Sequence, residues 1–191
     1  MSNEQNEESG QGVSRRGFAA VPLGATLALG GASFMESKAM ADTTVSGARL
    51  SAEDRLDIID LFARYSWCYD CSDAEGYAAT FTPDGVIEAF GAEAARGRGA
   101  IAVFVKKLIA SNRGDNDWQH LNNHHHFRAT PEGATVYSYW TVIEGNEAEK
   151  RHGVHSFGYY VTDCVKQGGE WFIKKRSINR WNRDQVPWER A

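Results

Sequence analysis

Ile58, Leu61, Phe62, Tyr65 and Tyr69 recur at spacings of three and four, which puts them on one face of an α-helix. Ser51 stands before this stripe with Asp54 three residues on, a start signal, so a helix of about 20 residues is expected from there. Asp60 and Arg64 lie four apart on its outer face and can pair weakly. A second, short helix is expected over Ala74 to Ala79. It stops before Thr82-Pro83-Asp84-Gly85, which reads as a turn, and Val86 to Phe90 follow as a short strand. Ile101, Phe104, Val105 and Leu108 give a third helical stripe, ended by the polar stretch Ser111 to Asp117.

Beyond residue 117 the hydrophobic period falls from 3.6 to 2. Trp118–Ala129, Ala134–Glu144, His155–Val165 and Glu170–Trp181 are rich in aromatic and β-branched residues and read as strands. Thr130-Pro131-Glu132-Gly133 and Gln167-Gly168-Gly169 supply hairpin turns between neighbours. Helices first and antiparallel strands afterwards make an α+β domain, with the helices covering one face of a strongly curved sheet. Such a sheet is a cone, and its open end is a pocket.

Composition narrows the choice of partner. The chain has 191 residues, 42% hydrophobic and 24% charged, with a net charge of -4. One globular domain fits that length, and the acidic balance argues against nucleic acid, whose phosphates need a basic field. Six tryptophans and seven tyrosines are enough to line a pocket for a small hydrophobic or aromatic ligand. Three cysteines exclude a disulfide scaffold. Cys68 and Cys71 have the spacing of a redox motif but fall within the first helix, where half-buried thiols are expected.

The first 41 residues belong to a different category. A polar, disordered start leads to Arg15-Arg16-Gly17-Phe18, then a mild apolar stretch and the small-residue site Ala39-Met40-Ala41. This resembles a twin-arginine export signal. It predicts cleavage near Ala41, a mature domain over 42–191, a periplasmic location and no membrane association after processing.

Asp70 ends the first helical stripe beside Tyr65 and Tyr69, where an inward carboxylate needs a partner. His120 begins a strand; by alternation His120, Asn122, His124 and His126 share a face. Adjacent His124, His125 and His126 cannot converge on one ion from a strand, so no metal is expected. Glu144 shares a face with Trp140 and Val142, and burial there would raise its pKa. Arg180 lies on the last strand.

Arg64-Tyr65, Tyr69-Asp70, Phe81-Thr82-Pro83-Asp84-Gly85, Gln119-His120, Trp171-Phe172-Ile173 and Arg180-Trp181 occur in this order. From Leu50 to about Arg183 the chain thereby resembles the SnoaL-like branch of the nuclear transport factor 2-like superfamily, which has a cystatin-like roll. The resemblance extends to its cofactor-free lyases, scytalone dehydratase, bile-acid 7α-dehydratase and lindane dehydrochlorinase among them. It implies that Asp70 orients His120, that His120 takes a proton from carbon, and that Tyr65 is a catalytic residue, with either Tyr65 or Tyr69 as the main acid. It further implies that Tyr69, Glu144 and Arg180 line the substrate pocket, where Trp140 joins Glu144 by strand face. His124 departs from the family, which often has a small residue or asparagine there, and is expected to add a second imidazole.

Neutral imidazole is a competent base near neutrality, and a carboxylate fixes its tautomer without metal or nucleotide. The function expected is a cofactor-independent lyase that removes water or another small leaving group from a hydrophobic cyclic or aromatic hydroxylated substrate. An isomerase or cyclase with the same pocket, and a non-catalytic small-molecule binding module, are the alternatives. A homo-oligomer is compatible with an exposed sheet face.

Overall fold

A computed structural model of the protein describes residues 49–184 and 186–188. The arginine pair, the Ala39-Met40-Ala41 site and the boundary at residue 42 lie outside the described residues. Helix α1 is Ala52–Asp70, and its start is the reciprocal capping box that Ser51 and Asp54 encode. Ser51 Oγ accepts from the Asp54 N–H at 2.9 Å, and the Asp54 carboxylate accepts the Ser51 N–H at 3.2 Å. The stripe of Ile58, Leu61, Phe62, Tyr65 and Tyr69 is buried. Helix α2 is Ala74–Ala79, capped by the Asp73 carboxylate, and helix α3 is Arg98–Asn112.

The strands are β1 (Phe81–Ala89), β2 (Ala92–Arg96), β3 (Asp117–Thr130), β4 (Gly133–Asn146), β5 (Arg151–Gln167) and β6 (Glu170–Arg180). They form one sheet in the order β2-β1-β6-β5-β4-β3, antiparallel throughout except where β1 runs parallel to β6. The domain is α+β, with the helices over the concave face of a curved sheet that does not close. Bulges at Asn123/His126 in β3, Val142/Ile143 in β4 and Asp163/Cys164 in β5 bend the long strands and produce that curvature.

Thr82-Pro83-Asp84-Gly85 does not reverse the chain. It lies inside β1 as an irregularity, between Phe81 opposite Ile173 and Val86 opposite Lys175. Parallel pairing with β6 carries β1 straight on, and a bulge is a place where Pro83 costs no ladder hydrogen bond. The reversal comes at Phe90-Gly91, both at positive φ, and leads into the unanticipated β2. Its sequence Ala-Glu-Ala-Ala-Arg has little strand character.

The core lies between α1 and the concave sheet face, with Phe62, Tyr65, Phe81, Val136, Tyr160 and Ile173 at its centre. Gly158 on β5 lets the Trp140 indole of β4 lie across it, since a Cβ there would come 2.7 Å from the ring. No helix among the described residues is long and apolar enough to cross a membrane.

Candidate active site

A carboxylate at a helix C-terminus faces the negative end of the macrodipole, which makes Asp70 costly where it stands. Arg113, just past α3, offsets this. Its Nη2 donates to the Tyr69 carbonyl and its Nη1 to the Asp70 carbonyl, both at 2.9 Å, and Nη1 also reaches Ser72 Oγ. Held there, the Asp70 carboxylate takes two hydrogen bonds from one residue of the facing edge strand. The His120 backbone N–H donates to Oδ2 at 2.8 Å, and ring Nδ1 lies 2.6 Å from Oδ1. As an edge strand, β3 can spare a backbone N–H for this contact. Both side chains are largely buried, 12% and 15% exposed.

An ionised carboxylate can only accept, so Nδ1 carries the proton and Nε2 presents a lone pair. Nε2 has no hydrogen-bond partner among the described residues. The Tyr69 ring meets the imidazole edge-on, with centroids 4.8 Å apart, and stacks on Trp118. Burial pushes the Tyr69 phenol up to about 12, so it remains a proton donor at neutral pH.

His120 forms part of the wall of a cavity of about 220 Å³ that opens to the surface. Tyr65, Tyr69, Tyr77 and Tyr160 line it, with Trp118, Trp140 and Phe104. The Tyr77 hydroxyl donates to the Tyr65 hydroxyl at 2.6 Å. Burial holds Tyr77 and Tyr160 well above the usual phenol range. A second space of about 540 Å³, between α1 and β3, is also lined by Asp70 and His120. Of these two spaces, only the first has tyrosines as well as the imidazole in its lining.

The family model for the SnoaL-like domain matches residues 50–177. The chain belongs to the SnoaL-like domain family. No curated protein matches it in sequence. Among solved structures, Rv3472 from Mycobacterium tuberculosis, described as of unknown function, is 28% identical with a TM-score of 0.59, over 66% of this chain and 71% of that one. Aln2 from a Streptomyces species is 21% identical with a TM-score of 0.62, over 69% and 93%. A nuclear transport factor 2-like protein with a cystatin-like fold from Novosphingobium aromaticivorans is 24% identical with a TM-score of 0.57, over 70% and 85%. The last two share the fold. SnoaL-like proteins include polyketide cyclases, isomerases and dehydratases.

Within this SnoaL-like domain the other expected site residues separate. Trp140, Tyr65 and Tyr69 line the cavity. Arg180 stands exposed at its mouth, its Cζ 5.0 Å from the Phe90 ring centroid, near Phe157 and Trp181. Glu144 is absent from the cavity lining, and its largely buried side chain behaves opposite to the expectation for a buried acid. It accepts from Arg151 at 2.9 Å and from Trp118 Nε1 at 3.3 Å, with His155 3.0 Å away. The Arg151 hydrogen bond is the main cause that holds its carboxyl below the usual range.

His124 leaves the pocket face altogether. It adopts φ 54° at the β3 bulge, which breaks the alternation that would have aligned it with His120. Its ring packs on exposed Tyr139, and His126 packs at a tilt on Tyr137 and Trp188. His125 turns inward instead, against Phe62, where burial pushes its imidazole pKa down. The two cysteines also differ: Cys68 is half-buried, whereas Cys71, at the C-cap, is exposed. Arg113, Tyr77, Tyr160 and Arg176 were not anticipated. Only Arg176 carried a signal, since it stands four residues before Arg180 and so shares its strand face.

Proposed function

We propose that this SnoaL-like domain is a cofactor-independent lyase acting on a hydrophobic, hydroxylated cyclic or aromatic substrate. One observation carries the reading: the His120–Asp70 pair, with Nε2 unpartnered among the described residues, at the wall of a tyrosine-lined aromatic cavity. Nε2 takes a proton from an acidified C–H, and Asp70 stabilises the imidazolium that results. The C–H electron pair becomes the new double bond as the C–O bond breaks. The departing oxygen takes a proton from Tyr65 or Tyr69, and the imidazolium proton restores the phenol, so that substrate gives alkene plus water.

The second reading, isomerisation or cyclisation, has support of its own. Tyr65 already accepts from Tyr77, so the pair can hold an enolate oxygen by hydrogen bonding without surrendering a proton. Incubation of the purified protein with hydroxylated cyclic ketones and phenols in D2O, followed by mass spectrometry and NMR, separates the readings. Loss of the mass of water supports the lyase. No loss of water, with the double bond moved and deuterium gained at a second carbon, supports the isomerase. Binding with neither change makes the domain a binding module and overturns both.

A further inference from the structure

Arg176, on β6, is wholly buried at 0% exposure. Its Nε donates to Thr162 Oγ1 at 3.0 Å, but Nη1 and Nη2 have no hydrogen-bond partner among the described residues. No carboxylate among those residues pairs with it. Its guanidinium carbon lies 4.2, 4.0 and 4.5 Å from the ring centroids of Phe62, Tyr65 and Tyr160. Ring faces attract a cation, yet they return only part of what water provided. A charge buried at that cost calls for a negative partner.

The surroundings supply none. His125 approaches from β3, and burial together with Arg176 itself disfavours its protonation. The other titratable neighbours are the phenols of Tyr65 on α1, Tyr77 on α2 and Tyr160 on β5, and the buried Cys164 thiol on β5, which burial pushes up to about 12. Burial holds the Tyr77 and Tyr160 phenols and the Cys164 thiol neutral, and none of these neighbours is a carboxylate. Two of the three rings on the guanidinium, Tyr65 and Tyr160, also line the cavity. The cavity therefore has a carboxylate behind its imidazole wall and a guanidinium behind its tyrosine wall. Negative charge inside it is repelled from the first and drawn to the second.

We propose that Arg176 sets the tyrosine end of the cavity to receive an ionised oxygen, so that the site takes the phenolate or enolate form of a hydroxylated ring in preference to the neutral form. Tyr65 donates to that oxygen, since it only accepts in its bond with Tyr77 and keeps its own O–H to give. Arg176 acts through the Tyr65 and Tyr160 rings and is a positioning residue rather than a catalytic one. The inference rests on the tyrosine-lined cavity being the substrate site. It specifies the substrate as one that carries or develops an anionic oxygen. Space is sufficient for one substituted ring, given that a cavity of about 150 Å³ admits benzene.

The probe is 4-nitrophenol, whose ionised form absorbs visible light. Titrated against the purified protein across pH, the bound probe should ionise about one unit below the free probe, a roughly tenfold preference for the anion. Arg176→Met should abolish the preference and Arg176→Lys should keep much of it, with folding checked by circular dichroism. Should Arg176→Met not fold, loss of the preference in Tyr65→Phe with its retention in Arg176→Lys supports the proposal. No binding, no preference in the wild type, or a preference that survives in folded Arg176→Met overturns it. Turnover without anion preference would sink this inference and leave the lyase standing; anion preference without turnover would do the reverse.

Discussion

Asp70 and His120 form a unit because each takes from the other what it lacks. Asp70 at a helix C-terminus lacks donors beyond the helix, and His120 supplies two. His120 lacks a fixed tautomer, and the carboxylate supplies it. Replacing His120 with alanine should lower kcat/KM by about 10²–10⁴-fold, the range for an acid–base group. Asp70→Asn should cost nearly as much, because the amide can donate to Nδ1 and thereby favour the wrong tautomer. Groups that act together are far from additive. Steady-state kinetics on the double variant should show a loss close to that of the worse single variant, and a loss equal to the product would break the pairing. The sequence exposed this pair because residue type, helix end and strand start coincide there. It could not expose the fate of His124, since one residue in the left-handed region turns every later side chain to the opposite face.

At the scale of elements, what matters is how the end of α1 is held against β3. Arg113 grips the last two carbonyls of α1 and stacks over Tyr69 and Trp118 at 5.9 Å from each centroid. Arg113→Ala should cost about 1–3 kcal/mol, typical for loss of charged hydrogen bonds. It should also lower kcat more than the loss of fold accounts for, because Asp70 is then free to swing from His120. Thermal unfolding beside kinetics at a temperature where the variant is folded checks this; unchanged kcat would make Arg113 a structural clasp only. Helix α1 was legible down to its capping box because cap, stripe and length agree. The Thr82–Gly85 segment was misjudged because its turn chemistry serves a bulge, and the parallel β1–β6 pairing that decides the matter is a long-range contact. Arg113 gave no signal for the same reason: its hydrogen-bond partners stand more than forty residues away.

For the molecule as a whole, the buried and paired ionisable groups fix how stability responds to acid. The Lys166 hydrogen bond is the largest cause holding the Asp54 carboxyl below its usual range, with Ser51 and Trp171 assisting. A depressed carboxylate stabilises the fold above its unfolded pKa, and that contribution is lost as pH falls through the folded one. His125 is depressed by burial, so the unfolded chain takes up a proton below its ordinary value while the fold resists. Both effects have one sign. Stability should be flat near neutrality, decline from about pH 6.5, and decline again below about pH 4. Tm measured against pH should show His125→Phe flattening the upper limb and Asp54→Asn the lower; a Tm that rises on acidification would contradict the assignment of both groups. The α+β architecture and the four long strands were legible from period and turns, whereas the closing edge β2 and the buried cation Arg176 depend on how the whole sheet curves.

The central claim is that Asp70 fixes His120 as a base whose free Nε2 meets the cavity. The 15N NMR shifts of the His120 ring test it most directly, in the substrate-free protein at a pH where the imidazole is neutral. Asp70 accepting from Nδ1 predicts the Nδ1–H tautomer in the wild type and a shift toward Nε2–H in Asp70→Asn. A wild-type ring protonated on Nε2, or one unmoved by Asp70→Asn, would contradict the account.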